Sequence, residues 1–204
     1  MNDRNWQLDL TIDCQRLQLK LFDDTVLAEL YDLIRKNRNT LIGKITWVDS
    51  LRNIEDFQLF LKYCLQQAKN KEAFYFAIYL EESIVGCIDF HHFNYINHSC
   101  EIGYWLDQEK RGQGIITRSL IGLMSLFIEQ FSMQCFYIIV HVTNTNSRRI
   151  PEILGFTNEG LVSEQDFTEQ YTEDKILYSL SKQMFKQKLP IWEQRFRLIE
   201  KEDT

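Results

Sequence analysis

Apolar residues recur along the chain with two periods, and the switches between them mark out strands and helices. Residues 16–22 (RLQLKLF) alternate polar and apolar positions, as a half-buried strand does. Leu27, Leu30, Tyr31 and Ile34 then fall three and four apart, which predicts a helix over 27–35. Asn53-Ile54-Glu55-Asp56 opens a second predicted helix through about 69, with Phe57, Phe60, Leu61, Cys64 and Leu65 on one stripe. A polar segment carrying Trp47 lies between the two.

Residues 73–80 (AFYFAIYL) are aromatic and branched, and residues 84–93 repeat that character. Glu81-Glu82-Ser83 separates them, predicting an antiparallel hairpin. A turn at 94–97 leads to a third strand, 98–106. The pattern then changes to a short polar loop with glycines, an apolar-periodic helix over 114–131 and a strand over 135–142. Strand, helix and strand in about 45 residues form a βαβ unit, whose two strands are parallel. A short helix (147–154) and strands at 157–166 and 175–180 complete the sheet. The tail from Lys182 reads as a helix broken around Pro190. The expected fold is α/β (α+β): a mixed, mostly antiparallel sheet with one central parallel pair and flanking helices.

With 204 residues, 45% of them hydrophobic, the chain suffices for one domain with a real core, expected over about 10–182 with a helical tail beyond. The net charge of −6 argues against nucleic acid, which needs a basic face, and is compatible with an amine-bearing substrate. No stretch approaches the roughly 18 apolar residues of a membrane span, and the amino terminus lacks the apolar run of a signal peptide. Cys14, Cys64, Cys87, Cys100 and Cys135 are scattered and form no CxxC pair, which predicts free thiols in a reducing, cytoplasmic setting. His91 and His92, adjacent on a strand, are expected to point to opposite faces and not to share a metal. With His98 and His141 they read as structural, and no metal is expected.

The informative chemistry lies in Arg111-Gly112-Gln113-Gly114-Ile115-Ile116-Thr117. Two glycines where a loop enters a helix let the backbone curl without Cβ hindrance. Successive N–H groups there converge on an anion, aided by the helix N-terminal dipole. Lys110, Arg111 and Arg118 crowd this spot in an otherwise acidic chain. A phosphate-bearing ligand follows. A P-loop would need Gly-Lys-Ser/Thr, but Ile115-Ile116 follows Gly114. A dinucleotide fingerprint needs a third glycine where Thr117 stands. Strand, Gly-x-Gly loop and helix also suit acetyl-CoA, although a bare Gly-x-Gly before a helix is often only a turn.

The wider blocks carry a resemblance. Glu101-Ile102-Gly103-Tyr104-Trp105-Leu106, the glycine loop, Asn144-x-x-Ser147-Arg148 and Leu154-Gly155-Phe156-x-x-Glu159-Gly160 together resemble the GNAT superfamily of N-acetyltransferases, in its RimJ/RimL-type branch. Asn37-Arg38-x-x-Leu41 and Trp47-Val48-Asp49 are similar to that branch upstream. Two positions depart from the pattern: Glu109, where the superfamily favours Gln or Arg, and Lys44, where a tryptophan is frequent.

The resemblance implies a GNAT fold whose central parallel strands splay apart, with acetyl-CoA as cosubstrate. The amides of Arg111, Gly112, Gln113, Gly114, Ile115, Ile116 and Thr117 would hold the pyrophosphate. The backbone of Tyr104, Trp105 and Leu106 would pair with pantetheine, and Asn144 and Ser147 would also contact it. Ser147 would protonate the leaving thiolate or orient it, unless Asn144 and Ser147 merely cap a helix. Arg148 and Arg149 would touch a CoA phosphate or lie in solvent. Glu164 and Asp166, two apart on a strand, are the candidate bases, and Tyr171, Asp174 and Tyr178 would border the acceptor site. The acceptor implied is a protein amino terminus of ribosomal-protein type, with a homodimer possible. A polyamine-like or aminoglycoside-like small amine is an alternative, as is an acyl-CoA-binding regulator without turnover.

Overall fold

The computed structural model describes residues 7–12, 15–162 and 174–196. Strands β1 (Gln7–Ile12) and β2 (Gln15–Leu21) lead into helices α1 (Leu27–Leu41), α2 (Thr46–Ser50) and α3 (Ile54–Asn70). Strands β3 (Phe74–Leu80), β4 (Ser83–Asn94) and β5 (Ser99–Leu106) precede α4 (Ile115–Phe131). Then come β6 (Cys135–His141), α5 (Thr145–Leu154), β7 (Thr157–Val162), β8 (Lys175–Ser181) and α6 (Lys182–Phe196). The strands form one sheet in the order β1-β2-β3-β4-β5-β6-β8-β7. Among the described residues only β5 and β6 are parallel, and every other pair is antiparallel.

Strand alternation divides the core between the two sheet faces. Val85, Ile88 and Phe90 of β4 pack with Leu120, Leu123 and Phe127 of α4, whereas Ile84 and Cys87 pack with Leu30 of α1 and Phe57 and Leu61 of α3. Phe127 stacks on Phe90 with ring centroids 4.1 Å apart and is fully buried. The α4 layer therefore carries the glycine loop on one face, and the α1–α3 layer covers the other.

Four features depart from the pattern reading. Gln7–Ile12 adds a strand ahead of the expected first one, paired with β2. Helix α1 runs on to Leu41 because the buried stripe continues through Asn37, whose polarity hides it in a hydropathy pattern. The polar segment between the first two helices contains α2, where Trp47 stacks on Phe60 at 4.4 Å. The tail helix is not broken at Pro190. Its ring removes one ladder bond, but Phe185 and Trp192 on either side are both buried and meet edge-on at 5.4 Å, so packing carries α6 through the proline.

Candidate active site

Strand β5 meets β6 over only three residue pairs, from Ser99↔Cys135 to Glu101↔Tyr137. Beyond Glu101, β5 continues to Leu106 bonded to β4 alone, while β6 continues to His141 bonded to β8. The parallel strands thus part at Glu101. The β6-facing edge of Tyr104, Trp105 and Leu106 keeps backbone groups that no strand of the sheet takes up. Trp105 and Leu106 point their side chains into opposite cores, so what they present to the gap is main chain.

At the open end of the gap the chain turns into the loop. Asp107 caps a short 3-10 turn by accepting from the Glu109 N–H at 3.2 Å. Gly112 and Gly114 then adopt φ of +79° and +73°, left-handed values that side-chain-bearing residues reach at a cost of about 1–2 kcal/mol. Gly114 is the N-cap of α4 and supplies no side chain to it; no acidic residue occupies the first turn. The first ladder bond runs from the Arg118 N–H to the Gly114 carbonyl, so the amides of Ile115, Ile116 and Thr117 lie before the ladder. Their side chains are buried, whereas Arg111, Gly112 and Gln113 are exposed. An uncapped helix start of this kind favours an anion.

Two braces hold the loop. Arg118 reaches back to the Gln113 carbonyl at 3.1 Å and donates to the Phe196 carbonyl of α6 at 2.9 Å. From α1, Lys36 bonds Asp107 at 2.9 Å and Glu109 at 2.6 Å, and the buried Asn37 accepts from the Gln108 N–H at 3.1 Å. Glu109, one of the two departures from the superfamily pattern, is therefore an anchor of the loop. The other, Lys44, bonds the Thr40 carbonyl at 3.2 Å.

The far wall of the gap is the start of α5. Asn144 is its N-cap, accepting from the Ser147 N–H at 3.3 Å, so the helix begins two residues before the sequence pattern suggests. The Ser147 carbonyl accepts from the Tyr104 hydroxyl at 2.8 Å. Capping and proximity to the gap are both true of this pair. Arg148 is engaged within the fold. It donates to the Val142 carbonyl at 3.0 Å and the Tyr178 hydroxyl at 3.3 Å, beside Glu152, while Arg149 is exposed. Tyr178 is buried and donates to Glu152 at 2.9 Å. Asp174 is exposed, with its carbonyl accepting from the Val142 N–H. Glu164, Asp166 and Tyr171 lie outside the described residues, as does Cys14.

Sequence reasoning missed a polar cluster at the point where the strands part. Asp89 and His91 alternate onto the α3-side face of β4, and Glu101 stands opposite His91 on β5. His91 Nδ1 lies 2.5 Å from Asp89 Oδ2, and its Nε2 lies 3.7 Å from Glu101 Oε1. Burial works against the charged ring, but hydrogen bonds to Asp89 and Glu101 outweigh it and raise its pKa to about 10. Burial of Glu101 is likewise outweighed by the bonds from His91 and His92, which hold its carboxyl below the usual range. His91 and His92 do not point to opposite faces. The pairing with β5 shifts register between His91 and Asn94, and His92 takes φ of +50°, so its Nδ1 also reaches Glu101, at 3.0 Å. An Asp-x-His alternation signals the shared face of Asp89 and His91; the bulge has no local signature.

Comparison with known proteins accords with this geometry. An Escherichia coli ribosomal-protein-serine acetyltransferase is 28% identical over 165 residues, covering 81% of this chain and 92% of that protein. A microcin C7 self-immunity acetyltransferase, solved with acetyl-CoA and AMP, superposes with a TM-score of 0.76 at 26% identity, over 81% of this chain and 92% of its own. A ribosomal L7/L12 α-N-protein acetyltransferase solved with coenzyme A reaches a TM-score of 0.79 at 23% identity, over 87% and 99%, a likeness of fold. The profile of the Acetyltransferase (GNAT) domain family spans residues 16–157, from β2 through the parted strands and glycine loop to the end of α5, and the chain belongs to that family of acyltransferase enzymes.

Proposed function

We propose that the chain transfers the acetyl group of acetyl-CoA to an amino group, and that the acceptor is a protein amino terminus of ribosomal-protein type. The observation that carries this is the arrest of β5–β6 pairing at Glu101↔Tyr137 directly beside the uncapped start of α4. An unpaired strand edge suits the amides of a pantetheine arm, and the glycine-bearing helix start suits a pyrophosphate. In this reading the main chain of Tyr104, Trp105 and Leu106 aligns the thioester arm, and the amides from Arg111 to Thr117 take the phosphates. An N–H on the free edge of β5 polarises the thioester carbonyl as negative charge develops on its oxygen.

The uncharged amine attacks that carbonyl, and the thiolate leaves with a proton from Ser147 or from water that Ser147 orients. One of Glu164 and Asp166 is the proposed base that takes the ammonium proton. The acceptor class is supported by the 28% identical relative, named for acetylating a serine of a ribosomal protein. The reading places the enzyme in the cytoplasm as a single domain, with neither nucleic acid nor membrane as partner. Among the described residues no helix is long and apolar enough to cross a membrane.

The test is a screen of amino-terminal peptides from ribosomal proteins, polyamines and aminoglycosides, read by thiol release and by mass of the product. Acetylation of an α-amino group is expected. Turnover confined to small amines would move the acceptor to that class, and acetyl-CoA binding without turnover on any amine would make the chain a regulator.

A further inference from the structure

We propose that His91, His92 and Glu101 form a binding site for a zinc-class divalent ion, with Asp89 as the group that orients His91. The bulge at His92 is the first reason. A left-handed φ at a side-chain-bearing residue carries a backbone cost, and here it brings a second imidazole onto the carboxylate that the first already faces. Two imidazoles and one carboxylate are a recurring donor set for zinc, with a water completing the tetrahedron.

The distances fit. Ligand atoms about 2.0–2.2 Å from an ion at tetrahedral angles stand roughly 3.4 Å from one another. His92 Nδ1 stands 3.0 Å from Glu101 Oε2 and His91 Nε2 stands 3.7 Å from Glu101 Oε1, so the two imidazoles face different oxygens of one carboxylate, each at a separation near that value. The donor atoms of all three residues lie within 4.8 Å of one another. The adjustment needed falls mainly on His92, whose side chain is 77% exposed and can swing inward.

The surroundings are those of a ligand set rather than of a chance ion pair. Asp89 engages His91 through Nδ1, which leaves Nε2 directed at Glu101; metal-bound histidines are commonly oriented by a carboxylate in this way. Gly103, opposite Asp89, makes room for it, since a Cβ there would lie 2.7 Å from Asp89 Oδ1. Access is open: His91 and His92 line a cavity of about 540 Å³ together with Tyr63, Gln67, Asn70 and Tyr75.

This site stands independently of acetyl transfer, and its test reads binding alone. The full chain, stripped with a chelator, is titrated with Zn²⁺ in a calorimeter and with Co²⁺ in an absorption spectrometer. One equivalent is expected with a micromolar or tighter Kd, an intense visible Co²⁺ band of low-coordinate geometry, and a rise in Tm on adding Zn²⁺. His92→Ala, an exposed change that leaves the core intact, is expected to remove the band and the Tm shift. Asp89→Asn is expected to weaken binding about 10–100-fold. Binding no tighter than millimolar, or a Co²⁺ band that persists in both His92→Ala and Glu101→Gln, overturns the proposal.

Discussion

The Tyr104 hydroxyl donates to the Ser147 carbonyl at 2.8 Å, tying the free arm of β5 to the first turn of α5. One wall of the gap is thereby tied to the other through the Tyr104 side chain. Burial pushes the phenol well above its usual range, so it remains a donor at any working pH.

Tyr104→Phe is expected to cost about 1 kcal/mol of stability through the lost bond. It should raise the KM for acetyl-CoA several-fold with kcat largely kept, because the two walls lose their tie while the loop amides stay in place. Urea melts and steady-state kinetics check both effects. A variant with wild-type KM would show that the bond has no part in shaping the gap.

Gly114→Asp is expected to abolish acetyl-CoA binding in calorimetry. The substitution combines a left-handed backbone cost of about 1–2 kcal/mol with a carboxylate at the helix start, where an anionic ligand would meet it. Gly114→Ala separates the two contributions, since it keeps the first and omits the second. Unchanged affinity in the aspartate variant would refute the assignment of the loop.

Glu164→Ala and Asp166→Ala are expected to divide the base from its neighbour. One variant should lose most of kcat and the acidic limb of the pH–rate profile, while the other retains both. Two unaffected enzymes would remove this pair from the mechanism.

Asp107 gives an acid-stability prediction. Burial raises its carboxyl pKa, but the bonds from Lys36, the Glu109 amide and Asn37 outweigh burial and leave it below the ordinary value. A depressed folded-state pKa contributes stability that is present above the unfolded value, about 3.9, and is lost as pH falls through the folded one. Lys36→Met is therefore expected to lower the urea midpoint at neutral pH and to flatten its decline below about pH 4. Equal slopes in the two proteins would assign the acid transition to other carboxylates.

Much of this architecture is written in short-range pattern. The β3–β4 hairpin, α4, β6 and α5 all appear within a residue or two of where alternation, helical spacing and turn residues put them. So do the two glycines, because positive φ and an uncapped helix start are properties of a few consecutive residues. Side-chain periodicity is a local quantity and can be read without knowing what packs on the strand or helix.

Other features depend on what meets what. Asn37 extends α1 because its amide finds the Leu33 carbonyl and the Gln108 N–H in the folded chain. Pro190 is passed because Phe185 and Trp192 bury on both sides of it. The parting of β5 from β6 after Glu101, and the bulge that turns His92 toward that same carboxylate, are matters of pairing register between distant segments. The sequence alone determined most of the strands and helices and the glycine turn that opens α4. Tertiary structure alone decided where the sheet opens and which polar groups gather there, since strand register is set by long-range pairing and no local pattern encodes it.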